Sequence, residues 1–184
     1  MKSRWAMLAM GAWITGSVIV SVVATQNFYT IDRLLADSPS SPFHDAVGRL
    51  GEPQARDLLR YLSSELNRLY FQLWNGAQVL IGLLVIWLLA GNRAMRRVRL
   101  VVLSMLAVVV LMIVYLTPQI VVVGRSLDFV PRDPAPAQLG RFWILHGVYT
   151  SLEMAKLAAG LLVAFWIDRG AGVRTQASND HLAA

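Results

Sequence analysis

Four stretches of the chain are almost continuously apolar, and each is long enough to cross the ~30 Å hydrocarbon core of a bilayer. They cover residues 5–25, 70–90, 100–123 and 142–167. The first stretch follows two basic residues, as a signal peptide would, but its run of about 20 apolar residues exceeds the usual 7–15. We therefore expect a retained helix at all four positions and an all-α, four-transmembrane-helix bundle.

The second apolar stretch is predicted to be the inner part of a longer helix. After Pro53 the chain has no proline or glycine until Gly76, and leucines recur at helical spacing. These leucines are Leu58, Leu59, Leu62, Leu66, Leu69 and Leu73. Because a helix over 53–90 would be about 55 Å long, we expect its first turns, 53–69, to protrude from the membrane as an external helical cap.

The remaining segments are predicted to be loops and a tail. The external residues from 26 onward are expected to begin as turn and coil, since 37–42 reads DSPSSP. The segment 124–140 contains three prolines and is predicted to lie over the outer mouth of the bundle. Residues 1–169 are thus expected to form a single membrane domain, and the polar residues 170–184 a disordered cytoplasmic tail.

Composition agrees with the membrane class. The chain is 56% hydrophobic and 15% charged, whereas soluble domains carry about 25% charged residues. It has no cysteine, which excludes disulfides, thiolate metal sites and thiol nucleophiles. The net charge of +6 does not indicate nucleic acid, because the arginines lie in short turns between apolar spans. There they are expected to contact anionic membrane lipids and to determine topology.

The distribution of arginines predicts the orientation. The turn between the second and third spans reads GNRAMRRVR, with four arginines and no acidic residue, and the N-terminus carries Lys2 and Arg4. Under the positive-inside rule these segments face the cytoplasm. We therefore expect a multi-pass protein of the cell inner membrane, with both termini cytoplasmic and two loops outside.

The fourth span carries its polar residues on one helical face. His146, Tyr149, Glu153 and Lys156 fall within a stripe about 120° wide. Charged side chains that face lipid are costly, so this face is expected to turn into the bundle. Lys156 follows Glu153 by three residues, a spacing that lets its ammonium reach the carboxylate. The two are therefore predicted to form an intramembrane ion pair.

Other spans place polar residues at a matching depth. Asn75 and Gln78 lie in the outer half of the second span, and Gln119 lies near the outer end of the third. With the stripe on the fourth span they predict a polar pocket that is open outward and closed inward. Such amides also serve as interhelical hydrogen-bonding groups, and a buried ion pair can act as a structural lock alone. The sequence leaves both interpretations open.

His146 is the candidate contact for a cofactor, as an axial ligand of haem or chlorophyll or as a quinone contact. A bis-histidine haem needs a second intramembrane histidine, but His44 lies in the external loop and His181 in the tail. A lone histidine in a bundle is more often only hydrogen-bonded. The sequence has no hydrolase elbow, P-loop, HExxH or CxxC, so no catalytic or metal-ligating residue is assigned.

Two stretches in the second half of the chain are similar to a known family. YLTPQI at 115–120 and FWILHG at 142–147 resemble the small four-helix membrane proteins of unknown function related to transmembrane protein 205. That family tends to carry a serine and an asparagine further along the last helix, where this chain has Tyr149 and Glu153. The resemblance covers mainly 115–165. It implies a four-helix fold and marks His146 as a focal residue, and it implies no secure activity.

The sequence favours an integral membrane binding protein or small carrier over an enzyme. Its outward-facing intramembrane pocket would take a lipid, a quinone or a small amphiphile. Glu153 would be the protonatable or ion-paired centre and Lys156 its counter-ion. The predicted ligand contacts are His146, Tyr149, Asn75, Gln78 and Gln119. One alternative is an accessory subunit of a larger, energy-transducing membrane complex, with membrane protein partners or as a homo-oligomer. Another is a membrane enzyme with His146 or Glu153 as general base, although no nucleophile–base–orienter set is visible.

Overall fold

The computed structural model describes residues 2–183, with side chains as far as Gly170. Within this range every regular element is helical, and the six α-helices are α1 (Lys2–Ala36), α2 (Ser41–Leu50), α3 (Glu52–Leu89), α4 (Arg96–Leu111), α5 (Thr117–Arg125) and α6 (Gln138–Ala183). A 3₁₀ turn, Arg93–Met95, precedes α4, and a π-helical segment, Met112–Leu116, joins α4 to α5. The predicted disordered tail, 170–184, lies outside the described side chains and stays a prediction.

Four helical segments are long and apolar enough to cross a membrane. They are α1, α3, the run Arg93–Arg125 through the π-helical segment, and α6 over Gln138–Gly170. The prediction of an all-α protein with four potential membrane spans is confirmed. We therefore describe the chain as a multi-pass membrane protein.

α1 extends well past the apolar stretch that predicted it. The segment that was expected to begin as coil at residue 26 is helical as far as Ala36. Two reasons account for the extension. The chain has neither proline nor glycine between Gly16 and Pro39, and side chains bind the extension to α3. The amide of Asn27 donates to Asn67 Oδ1 at 2.7 Å, and Asn67 donates to the carbonyl oxygen of Ala24 at 2.9 Å.

α2 is a helix that the sequence pattern did not predict. The sequence DSPSSP does end α1, but the next helix begins within it. A proline is tolerated in the first turn of a helix, and Pro42 occupies that place in α2. None of the side chains of α2 is buried. Gly51 then turns the chain into α3 with φ of 91°, a backbone conformation that favours glycine.

α3 is one unbroken helix. It spans 38 residues, which corresponds to a length of about 57 Å. At its C-terminal end Arg99 of α4 acts as a cap, because its guanidinium donates to the carbonyl oxygens of Leu89 at 2.8 Å and Asn92 at 2.7 Å. The same two carbonyl oxygens also accept backbone N–H groups, of Asn92 and Met95 respectively, so the guanidinium adds a second hydrogen bond to each.

The aliphatic core lies where α1, α3, α4 and α6 pack together, towards the turn between α3 and α4. Its most completely buried side chains are Met10, Trp13, Val85, Val102, Val109 and Val163. Gly82 lets this layer close, since a Cβ atom there would lie 2.5 Å from Leu106 Cδ2 and 2.9 Å from the ring of Trp13. The half of the bundle next to the turn between α3 and α4 is therefore packed mainly by apolar side chains.

The opposite end of the bundle is held by charges and aromatic rings. Arg68 of α3 pairs with Glu65 on its own helix and with Asp128 in the segment after α5, the latter at 3.1 Å. The rings of Tyr61 and Phe129 lie beside this pair, with centroids 5.3 Å apart. These contacts bind the segment between α5 and α6 to the first half of α3.

Close packing of α1 on α3 gives a testable consequence at Gly16. A Cβ atom there would lie 2.0 Å from Cη2 of Trp74, whose rigid ring has no way to yield at its far edge. We expect Gly16→Ala to lower the free energy of unfolding in detergent micelles by about 1–3 kcal/mol, as overpacking does. Gly11→Ala, on the same helix, meets nothing within 4 Å and serves as the control. Equal unfolding midpoints for the two variants would contradict the packing described here.

Candidate functional site

The polar stripe of α6 faces the interior of the bundle. Tyr149, Glu153 and Lys156 are buried, whereas residues on the opposite side of α6, such as Trp143 and Leu161, are exposed. The spacings of four and three residues place the three polar side chains one above another on a helix. Burial of charge on this face keeps it out of contact with lipid, where each isolated charge would cost about 2.5–3.5 kcal/mol.

An ion pair forms the centre of the site. The ammonium Nζ of Lys156 lies 2.7 Å from Glu153 Oε1 and 2.6 Å from Gln78 Oε1. The indole N–H of Trp13 donates to the same Gln78 oxygen at 3.0 Å. The exposed fractions are only 3% for Lys156 and 6% for Glu153. Two oxygen atoms therefore replace water around a charge that is almost fully removed from solvent.

The second carboxylate oxygen of Glu153 has a different environment. Among the described residues nothing donates a hydrogen bond to Oε2, although the atom is buried. An ionised oxygen in this position is less well stabilised than Oε1. Glu153 thus keeps capacity for one more hydrogen bond.

Asn75 extends the network from the ion pair towards α5. Its Oδ1 accepts from Gln78 Nε2 at 3.4 Å and from the hydroxyl of Tyr149 at 3.3 Å. Its Nδ2 donates to Thr117 Oγ1 at 3.3 Å. The side chains of four helical segments, α1, α3, α5 and α6, are thereby joined in one hydrogen-bonded chain.

The π-helical segment places Thr117 in this chain. Pro118 has no N–H, and in a regular α-helix its ring would collide with the carbonyl oxygen of Val114, four residues earlier. The wider turns of Met112–Leu116 accommodate that carbonyl, and they end directly before Thr117. A local backbone irregularity next to a proline therefore presents a hydroxyl to Asn75.

A groove runs along the surface between α3 and α5, beside this chain of hydrogen bonds. Its volume is about 460 Å³, and it is lined by Gln72, Asn75, Gly76, Ile113, Thr117, Pro118 and Val121. Asn75 is only 2% exposed, so it forms part of the groove's inner wall. Gln78, Glu153 and Lys156 lie on the other side of Asn75 and are not part of the lining.

The structure brings together five of the seven residues that the sequence singled out, namely Asn75, Gln78, Tyr149, Glu153 and Lys156. Gln119 lies elsewhere, where its Oε1 accepts from Arg141 at 2.8 Å. His146 also lies outside the network. It is exposed and stacks on Phe142 of its own helix, with ring centroids 5.9 Å apart.

Two members of the network, Trp13 and Thr117, were not among the predicted site residues. Trp13 stands in an apolar stretch, where a tryptophan is ordinarily a packing residue, and nothing in the sequence shows that its N–H meets Gln78. One feature of the sequence could have identified Thr117 as a member of the network, namely its position directly before Pro118. Within the described residues, no three His, Asp or Glu side chains lie close enough together to hold a metal ion.

No protein family model, curated protein or solved structure matches this chain. The resemblance of 115–120 and 142–147 to the family related to transmembrane protein 205 therefore stays a prediction. What the site can do has to be argued from its own geometry.

The ion pair gives a testable prediction about stability. Lys156→Met leaves the carboxylate of Glu153 without its counter-ion, and Glu153→Gln leaves the ammonium without its carboxylate. We expect each single variant to lower the free energy of unfolding by about 3–5 kcal/mol, and the double variant to lose less than the sum of the two. Unfolding in mixed micelles at rising sodium dodecyl sulfate measures the three values.

The matched control for this cycle is Thr150→Val, on the exposed side of α6, for which we expect a change within about 0.5 kcal/mol. Strictly additive losses at positions 153 and 156 would show that the two charges do not stabilise each other.

Proposed function

We propose that this chain is an integral membrane binding protein that takes the polar group of a small amphiphile, such as a lipid or a quinone, into the groove between α3 and α5. The observation that carries the proposal is the position of Asn75, a buried amide that forms the wall of the groove and is linked through Gln78 to the ion pair behind it. Amphiphile binding needs polar and apolar contacts together, and the groove offers both.

The dimensions and lining of the groove support this function. Its volume of about 460 Å³ falls within the range of about 300–1,000 Å³ typical of small-molecule sites. Ile113, Pro118 and Val121 supply apolar contacts, and Asn75 and Thr117 supply polar ones. Ile113 and Pro118 are exposed on the bundle surface, so the groove is accessible from the side. A lipid-soluble molecule would enter from the bilayer.

The ion pair determines which chemical group the groove prefers. An ammonium only donates hydrogen bonds, so Gln78 presents its oxygen to Lys156 and its NH₂ group to Asn75. Asn75 in turn presents its oxygen to Gln78 and its NH₂ group to Thr117. The N–H groups thus point towards the groove at each step. The preferred ligand group is a hydrogen-bond acceptor, such as an ester or quinone carbonyl oxygen.

The hydrogen bond that Asn75 donates is long enough to be exchanged. Its Nδ2 lies 3.3 Å from Thr117 Oγ1, whereas ordinary N–H···O bonds cluster near 2.9–3.0 Å. A ligand carbonyl that approaches from the groove would replace a weak contact with a better one. Asn75 is therefore both held in orientation and available to a ligand.

We further propose that the first turns of α3 stand outside the inner membrane, with both termini in the cytoplasm. At about 57 Å, α3 is much longer than the ~30 Å hydrocarbon core. Its charged residues all lie between Glu52 and Arg68, and the chain from 69 to 92 has no charged side chain. Asn75 would then lie about 10 Å below the outer boundary, within reach of the outer leaflet.

The decisive test is native mass spectrometry of the protein extracted from membranes in a mild detergent. We expect the wild type to retain a small molecule, and Asn75→Leu and Thr117→Val to lose it, because each removes a polar group from the groove. His146→Ala is the control, since His146 contributes nothing to the groove and should leave retention unchanged. Unfolding midpoints for all four proteins show whether a variant loses the small molecule because the groove is altered or because the fold is destabilised.

Two results would contradict the proposal. Retention of the molecule by all variants would place its site elsewhere. If the wild type retains only large partner subunits, and every variant retains them equally, the result would favour the alternative role as an accessory subunit of a membrane complex.

Ligand chemistry gives a second prediction. Two probes of equal chain length, a fatty acid methyl ester and a primary alkylammonium, present an acceptor and a donor respectively. We expect the ester to bind in a groove-dependent way and the ammonium not to, because the groove offers N–H and O–H groups. Titration of wild type and Asn75→Leu by intrinsic tryptophan fluorescence measures both. Preferential binding of the ammonium would show that the amides are oriented the other way round.

A further inference from the structure

The outward face of α3 carries two interleaved series of apolar residues. One series runs in seven-residue steps from Leu59 to Trp87, and the other in the same steps from Leu62 to Leu83. Every member except Trp87 and Gly76 is leucine. Alternating steps of three and four residues are the spacing of a coiled-coil contact line. We call these two series together the α3 seam.

Most of the α3 seam is exposed within the described part of the chain, and its members Leu59 and Leu66 are half-buried. Leu62 is 55% exposed, Leu73 64% and Leu80 70%. The residues with which α3 packs into its own bundle, among them Asn75 and Gln78, lie on the opposite side of the helix. The exposed members of the seam therefore contribute little to the fold of a single chain.

Lipid covers only part of the seam. Its first three members, Leu59, Leu62 and Leu66, alternate with charged residues in the turns that we have placed outside the membrane. An exposed apolar ridge in water marks an interaction surface. The corresponding face of α1 is less regular, because Thr15 and Gln26 interrupt it. A partner that follows α3 from the water into the membrane must itself be a long helix with an apolar face.

We propose that this partner is the α3 seam of a second copy of the chain, so that the protein is a parallel homodimer. Two copies in one membrane have the same orientation, and a heptad contact line is complementary to itself about a two-fold axis along the membrane normal. Among the positions that flank the seam, only Glu65 is charged, and its carboxylate is bound to Arg68 of its own helix. No like charges would face each other across the dimer.

Gly76, which also lines the groove between α3 and α5, suits such an interface. A glycine in mid-helix costs about 1 kcal/mol relative to alanine, yet a Cβ atom at this position would meet nothing within 4 Å. Packing inside the chain therefore gives no reason for a glycine here. At an interface between two helices a small residue lets the backbones approach closely, and Gly76 lies in the middle of the seam.

This inference uses the proposed placement of the outer turns of α3 but does not depend on a ligand. The absence of cysteine from the sequence allows a clean test by single-cysteine crosslinking in native membranes. Leu62→Cys samples the outer part of the seam and Leu73→Cys the part within the membrane. The matched controls are Arg60→Cys, two residues from Leu62 on another face, and Leu161→Cys, on the exposed face of α6.

We expect mild oxidation to give a several-fold larger yield of covalent dimer at both seam positions than at both controls. Disulfide formation requires Cα atoms within about 7 Å, so only residues that face each other across the two-fold axis qualify. Equal yields at seam and control positions would indicate random collision and overturn the dimer. No dimer, or dimer at Leu73→Cys alone, would overturn the continuous seam.

A second measurement separates this result from the ligand proposal. Light scattering in mild detergent should give a dimer for the wild type and for Asn75→Leu, and a monomer for Leu62→Lys, which changes only an exposed side chain. If Asn75→Leu loses the small molecule but keeps the dimer, the two proposals stand independently. A monomeric wild type in this assay and in the crosslinking would overturn the dimer whatever the ligand result.

Discussion

A charged pair buried between helices is the constraint on which this bundle depends. Glu153 and Lys156 are almost without solvent contact, and in hydrocarbon neither charge is tolerable alone. Their mutual contact, with the oxygen of Gln78 as a third member, is satisfied only when α3 and α6 are at one level. Because Trp13 donates to the same oxygen of Gln78, α1 must also lie at this level. Aliphatic packing near the turn between α3 and α4 has many alternatives of similar energy, whereas this polar arrangement has few.

The half of the bundle that lies away from the turn between α3 and α4 is organised around the ion pair. Gln78 is oriented by the ion pair and donates its NH₂ group to Asn75. The π-helical segment before Pro118 brings Thr117 to the side-chain amide of Asn75. Beyond this level the helices continue as a polar cap, where Arg68 binds the segment after α5. Stability and the proposed binding thus use the same residues, since the group that orients the groove is also the group that aligns the helices.

Much of this architecture follows from periodicity alone. Apolar length predicts the four spans, and the three- and four-residue spacing on α6 correctly places Tyr149, Glu153 and Lys156 inside. The same spacing cannot distinguish His146 from Glu153, because burial depends on which helix lies opposite, and at the level of His146 none covers the ring. The roles of Trp13 and Thr117 depend on interhelical register in the same way. α2 was missed because a coil signal shows where a helix ends but not how soon the next begins.

The double role of Gln78 has a consequence for how the specificity of such a site can change. Its oxygen faces Lys156 because lysine follows glutamate in the sequence, and each amide after it is oriented by the one before. With the two charges exchanged, and with Trp13, whose N–H donates to the same Gln78 oxygen, replaced by phenylalanine, the carboxylate at position 156 would require the NH₂ group of Gln78, and Asn75 would turn its oxygen towards the groove. Net charge and hydrophobic pattern would be identical. If the groove binds ligands as proposed, its preference would then change from acceptor to donor groups while every residue that lines the groove stays the same.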